Sequence, residues 1–414
     1  MKKRIKRVAY MMPPQENWNE FRDPAQRNDN YITDEQYKLL VDCGFTHGMA
    51  LYEHGADIAL RALEIAQRQG LKYYVRDEIN WANILHTDFY YLNGKNYREY
   101  QKYDSFAGVY IYDEPPVSQY KKVAEMVEGY YKFFGKGENS GEPLVNLLPT
   151  YANHIDQLGA DTYEEYIRQY VETVPTDYVL YDHYPFGMNK EGGDAMRTDY
   201  LYNAEVVAKL CKEYGKEMRT FIQSVTVGRS NYPITSEMVS FQMHTYLCYG
   251  TRAIVHYYYW SSMGGTNLGI VNHNGEPRDL YYGVQKTHKE IAEFEEKYCD
   301  CVWEKTMYVK GKKTHLNQTE FARFTCEDKD SPFRFEHDGI VGVFDYKGKK
   351  AYYATNYTNP RLGLTNEISF DLDGKYEVWC DGKRLACEGG SLQLTLPCGG
   401  GAFLLPKEEE DGNR

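Results

Sequence analysis

The stretch Gly108-Val109-Tyr110-Ile111-Tyr112-Asp113-Glu114-Pro115-Pro116 is an unbroken apolar run that stops at two acids and two prolines. Val, Ile and Tyr without a polar interruption suit a parallel strand covered on both faces, and proline cannot continue the ladder. Two carboxyl groups therefore stand where a buried strand opens into a loop. In a parallel barrel that end of the strand carries the chemistry, whereas elsewhere Asp-Glu-Pro is a solvated turn leading into a helix. The choice between these readings rests on the strands around it.

Working outward, strand and helix patterns alternate along the first 300 or so residues. Strands are expected at 7–12, 45–52, 71–75, 108–114, 144–148, 178–183, 218–224 and 252–260. Helices fall between them, and their ends carry recognisable signals. Thr33-Asp34-Glu35-Gln36 and Thr162-Tyr163-Glu164-Glu165 are capping boxes, while Gly44, Gly70, Gly215 and Gly250 stand at helix stops. Eight such units make a (β/α)₈ TIM barrel, an α/β fold. An open doubly wound sheet needs a glycine-rich phosphate loop after its first strand, and that place holds Pro13-Pro14-Gln15-Glu16.

After Cys301 short alternating runs separated by Gly, Asp and Asn turns replace this pattern, at 339–346, 350–356, 367–372, 376–380, 391–396 and 401–405. The division expected is a catalytic barrel over 1–301, a small antiparallel β-sandwich over 302–406 and a flexible tail over 407–414.

Composition narrows the partners. With 48 Lys and Arg against 60 Asp and Glu, the net charge of −12 disfavours nucleic acid and anionic membranes, and no apolar run is long enough to span a bilayer. The basic start, residues 2–7, precedes too short an apolar run for an export signal, and nine scattered cysteines read as reduced thiols, so a cytoplasmic location is expected. Zinc-ligand spacing is absent, and neither metal nor cofactor is expected. The outlier is 41 tyrosines, which suit a partly wet core and a sugar-binding cleft alike.

The strand ends of such a barrel gather Glu53 and His54, Asp77 and Glu78, Asp113 and Glu114, Asp182 with His183 and Tyr184, Gln223, and the Tyr257 to Trp260 run. Glycosidic hydrolysis needs a protonated acid at the leaving oxygen and a second group at the anomeric carbon, and clustered acids supply both by pushing their pKa values apart.

Tyr110-Ile111-Tyr112-Asp113-Glu114-Pro115 resembles the fourth-strand motif of barrel glycoside hydrolases, and the stretch 394–405 resembles the β domain that closes many of them. The resemblance implies that Glu114 is the acid. Clan A members of that group carry Asn before this glutamate and a nucleophilic glutamate ending strand seven; here those places hold Asp113 and Gln223. An adjacent Asp-Glu pair is instead similar to the substrate-assisted N-acetylhexosaminidases, which implies that Asp113 orients the substrate's acetamido group. Asp182 is then the alternative nucleophile or base. Glu53, Asp77, Glu78, His183, Tyr184, Gln223, Tyr258 and Trp260 are the expected substrate-binding groups, with an oligosaccharide or glycoside as partner.

Two other classes fit the inventory. A sugar isomerase or aldolase would use the same carboxylates and imidazoles on Mg²⁺ or Mn²⁺, without needing Asp-Glu-Pro. A non-catalytic carbohydrate-binding barrel would keep the aromatic cup and need no protonated acid.

Overall fold

The computed structural model describes residues 3–14, 30–50, 56–76, 97–137, 139–188, 194–226, 233–262, 267–314 and 331–407. Eight parallel strands close into a barrel: β1 (Lys6–Tyr10), β2 (His47–Met49), β3 (Lys72–Val75), β4 (Phe106–Asp113), β5 (Glu142–Leu147), β6 (Tyr178–Asp182), β9 (Glu217–Gln223) and β10 (Ala253–Tyr257). Between β6 and β9 runs a hairpin that the sequence reading lacked, β7 (Phe186–Met188) and β8 (Asp194–Met196).

Helices α1 (Asp34–Asp42), α2 (Ala56–Gln69), α3 (Tyr120–Phe134), α4 (Tyr163–Thr173), α5 (Tyr200–Glu213), α6 (Ser236–Leu247) and α7 (Asp279–Cys299) follow in chain order. Both capping boxes form, with Thr33 accepting from the Gln36 N–H and Thr162 from the Glu165 N–H. Each hydroxyl satisfies a donor that a helix start leaves without an intrahelical partner.

Strand β4 is buried on both faces from Gly108 to Ile111, as its apolar run demands. Gly108 is needed there: at φ +134° it passes so close to β5 that a Cβ would come within 1.8 Å of the Glu142 carbonyl. The ladder to β5 shifts register between Tyr110 and Tyr112, so the strand's last residues turn into the barrel mouth.

The lower interior of the barrel is filled by charge. Lys6, Tyr74, Glu142 and Arg219 come from the first, third, fifth and seventh barrel strands, the alternation of one interior layer. Glu142 receives Lys6 Nζ at 2.5 Å, the Tyr74 hydroxyl at 2.5 Å and Arg219 in a fork at 2.8 and 3.1 Å. Burial pushes the Glu142 carboxyl up, but Arg219 and Lys6 outweigh it and hold it well below the usual range.

Beyond the barrel lie two antiparallel sheets. The larger has the order β11 (Val302–Val309), β13 (Gly339–Tyr346), β14 (Lys349–Asn356), β19 (Gly401–Pro406), β16 (Tyr376–Cys380), β17 (Lys383–Cys387). The smaller is β12 (Phe333–Phe335), β15 (Asn366–Leu372), β18 (Gly390–Leu396). Val341, Val343, Val378 and Leu404 of the first share an apolar core with Phe333, Ile368, Phe370 and Leu396 of the second. The other face of the larger sheet packs on the barrel, where Phe294 of α7 meets Phe403 at 5.2 Å and Tyr298 meets Phe344 at 5.5 Å. No described helix is long and apolar enough to cross a membrane.

Candidate active site

The end of β4 turns sharply. Glu114 adopts φ +51°, a left-handed conformation that costs a non-glycine residue roughly 1–3 kcal/mol, and Pro115 disfavours it further. The Glu114 N–H, donating to the Asn146 carbonyl at 2.9 Å, holds the turn in place. This conformation lets consecutive carboxyl groups serve one site.

Asp113 is held from two sides. Its Oδ1 accepts from the Tyr110 hydroxyl at 2.5 Å and from Asn146 Nδ2 at 3.2 Å. Arg76, at the end of β3, stands 3.9 Å from Oδ2 with its guanidinium 4.5 Å over the Tyr110 ring, and donates to the Tyr10 hydroxyl at 2.8 Å. The Asp113 side chain stays 44% exposed, so it faces the mouth.

Asp182 ends β6 with only 4% of its surface exposed, and its Oδ1 accepts from Asn146 Nδ2 at 3.0 Å. Its carboxyl and that of Glu114 are close enough for each to act on the other's ionisation. Burial, then the charge of Glu114, pushes Asp182 well above the ordinary aspartate range, with Asn146 opposing. Desolvation of the carboxyl and the charge of Asp113 raise Glu114, while Asp182 works against the rise. Both are raised, so the pair holds protons more tightly than free carboxylic acids do.

The structure thus brings Asp113, Glu114 and Asp182 together at the carboxyl-terminal mouth of the barrel, with Tyr184 beside them. Tyr184 stacks on Tyr257 at 5.0 Å, and Tyr257 on Tyr10 at 5.7 Å, giving a ladder of near-parallel rings. Glu53, His54, Asp77 and Glu78 lie outside the described residues.

The other expected groups face elsewhere. His183, next to Asp182 but of opposite strand parity, is fully buried and reaches Asp199 at 3.3 Å. Gln223 uses its Oε1 on the Phe186 N–H and its Nε2 on the Phe186 carbonyl, so its amide is engaged with backbone. The eighth barrel strand ends at Tyr257, earlier than the sequence pattern suggests. Tyr258 and Trp260 follow it 7% and 2% exposed, the Trp260 ring against Tyr31 at 4.8 Å. Neither has an open face for a sugar in this arrangement.

Sequence reasoning missed Arg76, Asn146 and Tyr151. Tyr151, on the loop after β5, is 37% exposed, with the Arg197 guanidinium 4.0 Å from its ring. For Asn146 a signal existed: a lone polar residue within the apolar run Leu144-Val145-Asn146-Leu147.

Among the described residues no three or more His, Cys, Asp or Glu side chains converge as metal ligands would. A cavity of about 830 Å³ opens at the opposite end of the barrel, lined by Lys6, His47, Lys72 and Glu142. It lies over the paired charges of the lower interior, on the face that serves stability in such barrels.

No family model matches the sequence, and no curated protein does. Solved structures do. The chain is similar to β-galactosidase from Bacillus circulans sp. alkalophilus at 8% identity and a TM-score of 0.55, over 97% of this chain and 99% of that one. With β-galactosidase from the psychrophilic Marinomonas ef1 the figures are 9% and 0.45, over 71% of this chain and 60% of the other, so the chain spans less than two thirds of that enzyme. The endo-β-1,4-mannanase from Thermotoga petrophila gives 10% and 0.39, over 96% and 98%. These structural neighbours are glycoside hydrolases, and the likeness to the first is one of fold.

Proposed function

We propose that this protein is a glycoside hydrolase acting on N-acetylhexosaminides, with Glu114 as general acid and Asp113 orienting the substrate's acetamido group. The observation that carries the reading is the meeting of Asp113, Glu114 and Asp182 around Asn146 at the barrel mouth, where burial and mutual charge raise the Glu114 and Asp182 carboxyl groups. A fold shared with a β-galactosidase is compatible with this chemistry, but many chemistries use the barrel, so the site bears the argument.

In the first step Glu114 gives its proton to the glycosidic oxygen, and the bond from that oxygen to the anomeric carbon breaks. The acetamido carbonyl oxygen attacks the anomeric carbon from the other side while Asp113 accepts the N–H, which supports the cyclic cation that forms. Water then attacks the same carbon, Glu114 takes its proton, and the acetamido group is released. Glu114 ends as it began.

Asp182 fits a supporting place better than that of nucleophile. Being buried, Asp182 resists ionisation and keeps a proton beside Glu114, where the acid needs one.

The test compares aryl N-acetylhexosaminides with the corresponding plain hexosides, for the wild type and for Glu114→Gln. Cleavage confined to the acetylated sugars, lowered by on the order of 10²–10⁴ in the variant for poor leaving groups and less for activated ones, supports the proposal. Equal, small losses with both kinds of leaving group would remove Glu114 from the acid's role.

A further inference from the structure

We propose that Asn146 is the positioning residue of this site, setting the distance and angle between the Asp113 and Asp182 carboxyl groups and holding the turn that carries Glu114; the inference rests on the acid roles proposed above. Among the described residues it bonds two of the acid side chains and the main chain of the third. Its amide gives one N–H to Asp113 Oδ1 at 3.2 Å and the other to Asp182 Oδ1 at 3.0 Å, and its main-chain carbonyl accepts from Glu114 at 2.9 Å.

The geometry of the amide explains the choice of residue. Its two hydrogens diverge in a plane, so bonds made by both fix the carboxyl groups of two neighbouring strands at a set angle. A lysine or arginine in its place would neutralise one acid and alter the proton balance of the others, whereas an amide donates without titrating. Turning the amide over would set Oδ1 against two carboxyl oxygens, so the orientation follows from the acids.

Asn146 is 4% exposed, and its Oδ1 is buried without a hydrogen-bond partner. An unmatched buried acceptor lowers stability, and an apolar residue would fill the same place in an apolar strand without that loss. A purely structural role leaves the residue unexplained; service to the acids accounts for it.

The groups facing the cluster come from every neighbouring element. Glu114 and Asp113 project from β4, Arg76 from the end of β3, and Asp182 from β6. Among the described residues the phenols of Tyr151, Tyr184 and Tyr257 also face the cluster, and burial pushes all three up, so they stay neutral at working pH. Asn146 is the neutral donor placed between two of the acids.

The test uses Asn146→Ala and Asn146→Ser in the full chain. The pH dependence of kcat and KM is measured on an aryl N-acetylhexosaminide, and the protonated-carboxyl infrared band is titrated without substrate. Removing an N–H that favours ionised Asp182 moves both limbs of the kcat profile, and the loss of the band, to higher pH. In the alanine variant kcat falls roughly 10–100-fold with KM little changed, and serine, keeping one donor, lies between. A lower kcat with limbs and band at their wild-type positions would overturn the proposal. Should the wild type cleave no glycoside, the functional reading fails, while the infrared titration still decides on Asn146.

Discussion

Gln223 and Phe186 bond in both directions: the Gln223 Oε1 accepts the Phe186 N–H at 3.1 Å, and Nε2 donates to the Phe186 carbonyl at 3.1 Å. A side chain here completes what would otherwise be one rung of a sheet. Gln242 of α6 holds the Gln223 main chain in the same manner, at 2.7 and 2.9 Å. The loop that follows β6, and Tyr184 with it, is thereby tied through the seventh barrel strand to the outer helix layer. Gln223→Glu turns a donor into an acceptor aimed at a carbonyl. It should lower stability by roughly 1–3 kcal/mol, read as a lower denaturant midpoint at unchanged slope. The variant should also gain no nucleophilic chemistry, although a clan A enzyme carries its glutamate at this place. Wild-type stability in Gln223→Glu would show that the pair contributes nothing.

The lower interior offers a separate measurement. Glu142 lies between Lys6 and Arg219, so Glu142→Gln leaves two cations facing each other inside the barrel. Breaking a buried pair from one side costs about 3–5 kcal/mol, and the partial exposure of Lys6 places this case near the lower figure. Lys6→Met in the same chain should restore part of the loss, giving a coupling energy that a double-mutant cycle reads directly. Simple additivity of the two changes would mean that the charges do not interact.

Both positions show what could and could not be read along the chain. The eight barrel strands were legible because each is an apolar run bracketed by helix signals. Lys6 and Glu142 nonetheless fell just outside their expected strands, since a charge at the edge of an apolar run looks like a solvated flank. The hairpin 186–196 was missed because its strands are three residues each, too short for an alternation to show. Polar β17, exposed at its first four residues, carries no inward-facing pattern. At the site, Asp113 and Glu114 were legible as neighbours in one motif. Asn146 left a trace as a lone polar residue in an apolar run, but nothing along the chain aims its amide at the acids, and Arg76, just past its strand, looks like a solvated flank.

The raised Glu114 and Asp182 carboxyl groups link activity to stability, and the sign follows from the direction of the shift. Both carboxyl groups are raised in the folded state, so above about pH 4, where an unfolded aspartate ionises, the native chain binds more protons than the unfolded one. The pair's contribution is fully present below that value and is lost as pH rises through the folded value. Asp182→Asn keeps the shape and removes the titration. Its stability minus that of the wild type should therefore rise with pH from about 4 upward, by at most ~1.4 kcal/mol per pH unit, and level off once the native pair has ionised. Taking the difference cancels other titrating groups, Glu142 among them. A difference that stays flat across this range would show that the pair holds no extra proton.

Asp113 decides between the two ways of reaching the anomeric carbon. Its Oδ1 is occupied by Tyr110 and Asn146, which leaves Oδ2, with Arg76 at 3.9 Å, as the oxygen able to receive an amide N–H from a sugar. Asp113→Asn keeps the side chain's size and weakens that acceptor. Turnover of N-acetylated substrates should fall by on the order of 10²–10³, the scale of one well-placed electrostatic contact in a transition state. A thiazoline that mimics the cyclised intermediate should inhibit the wild type strongly and the variant weakly, because the same N–H contact holds both. The two-carboxylate mechanism leads to the opposite pattern: Asp182 would ionise and attack directly, the acetamido group would be dispensable, and a 2-fluoro sugar would be trapped as an ester on Asp182. Mass analysis of the protein after incubation with such a sugar separates these outcomes. An adduct on the peptide that contains Asp182, together with rapid cleavage of 2-hydroxy hexosides, would end the substrate-assisted reading and return Asp113 to the task of holding Glu114 in place.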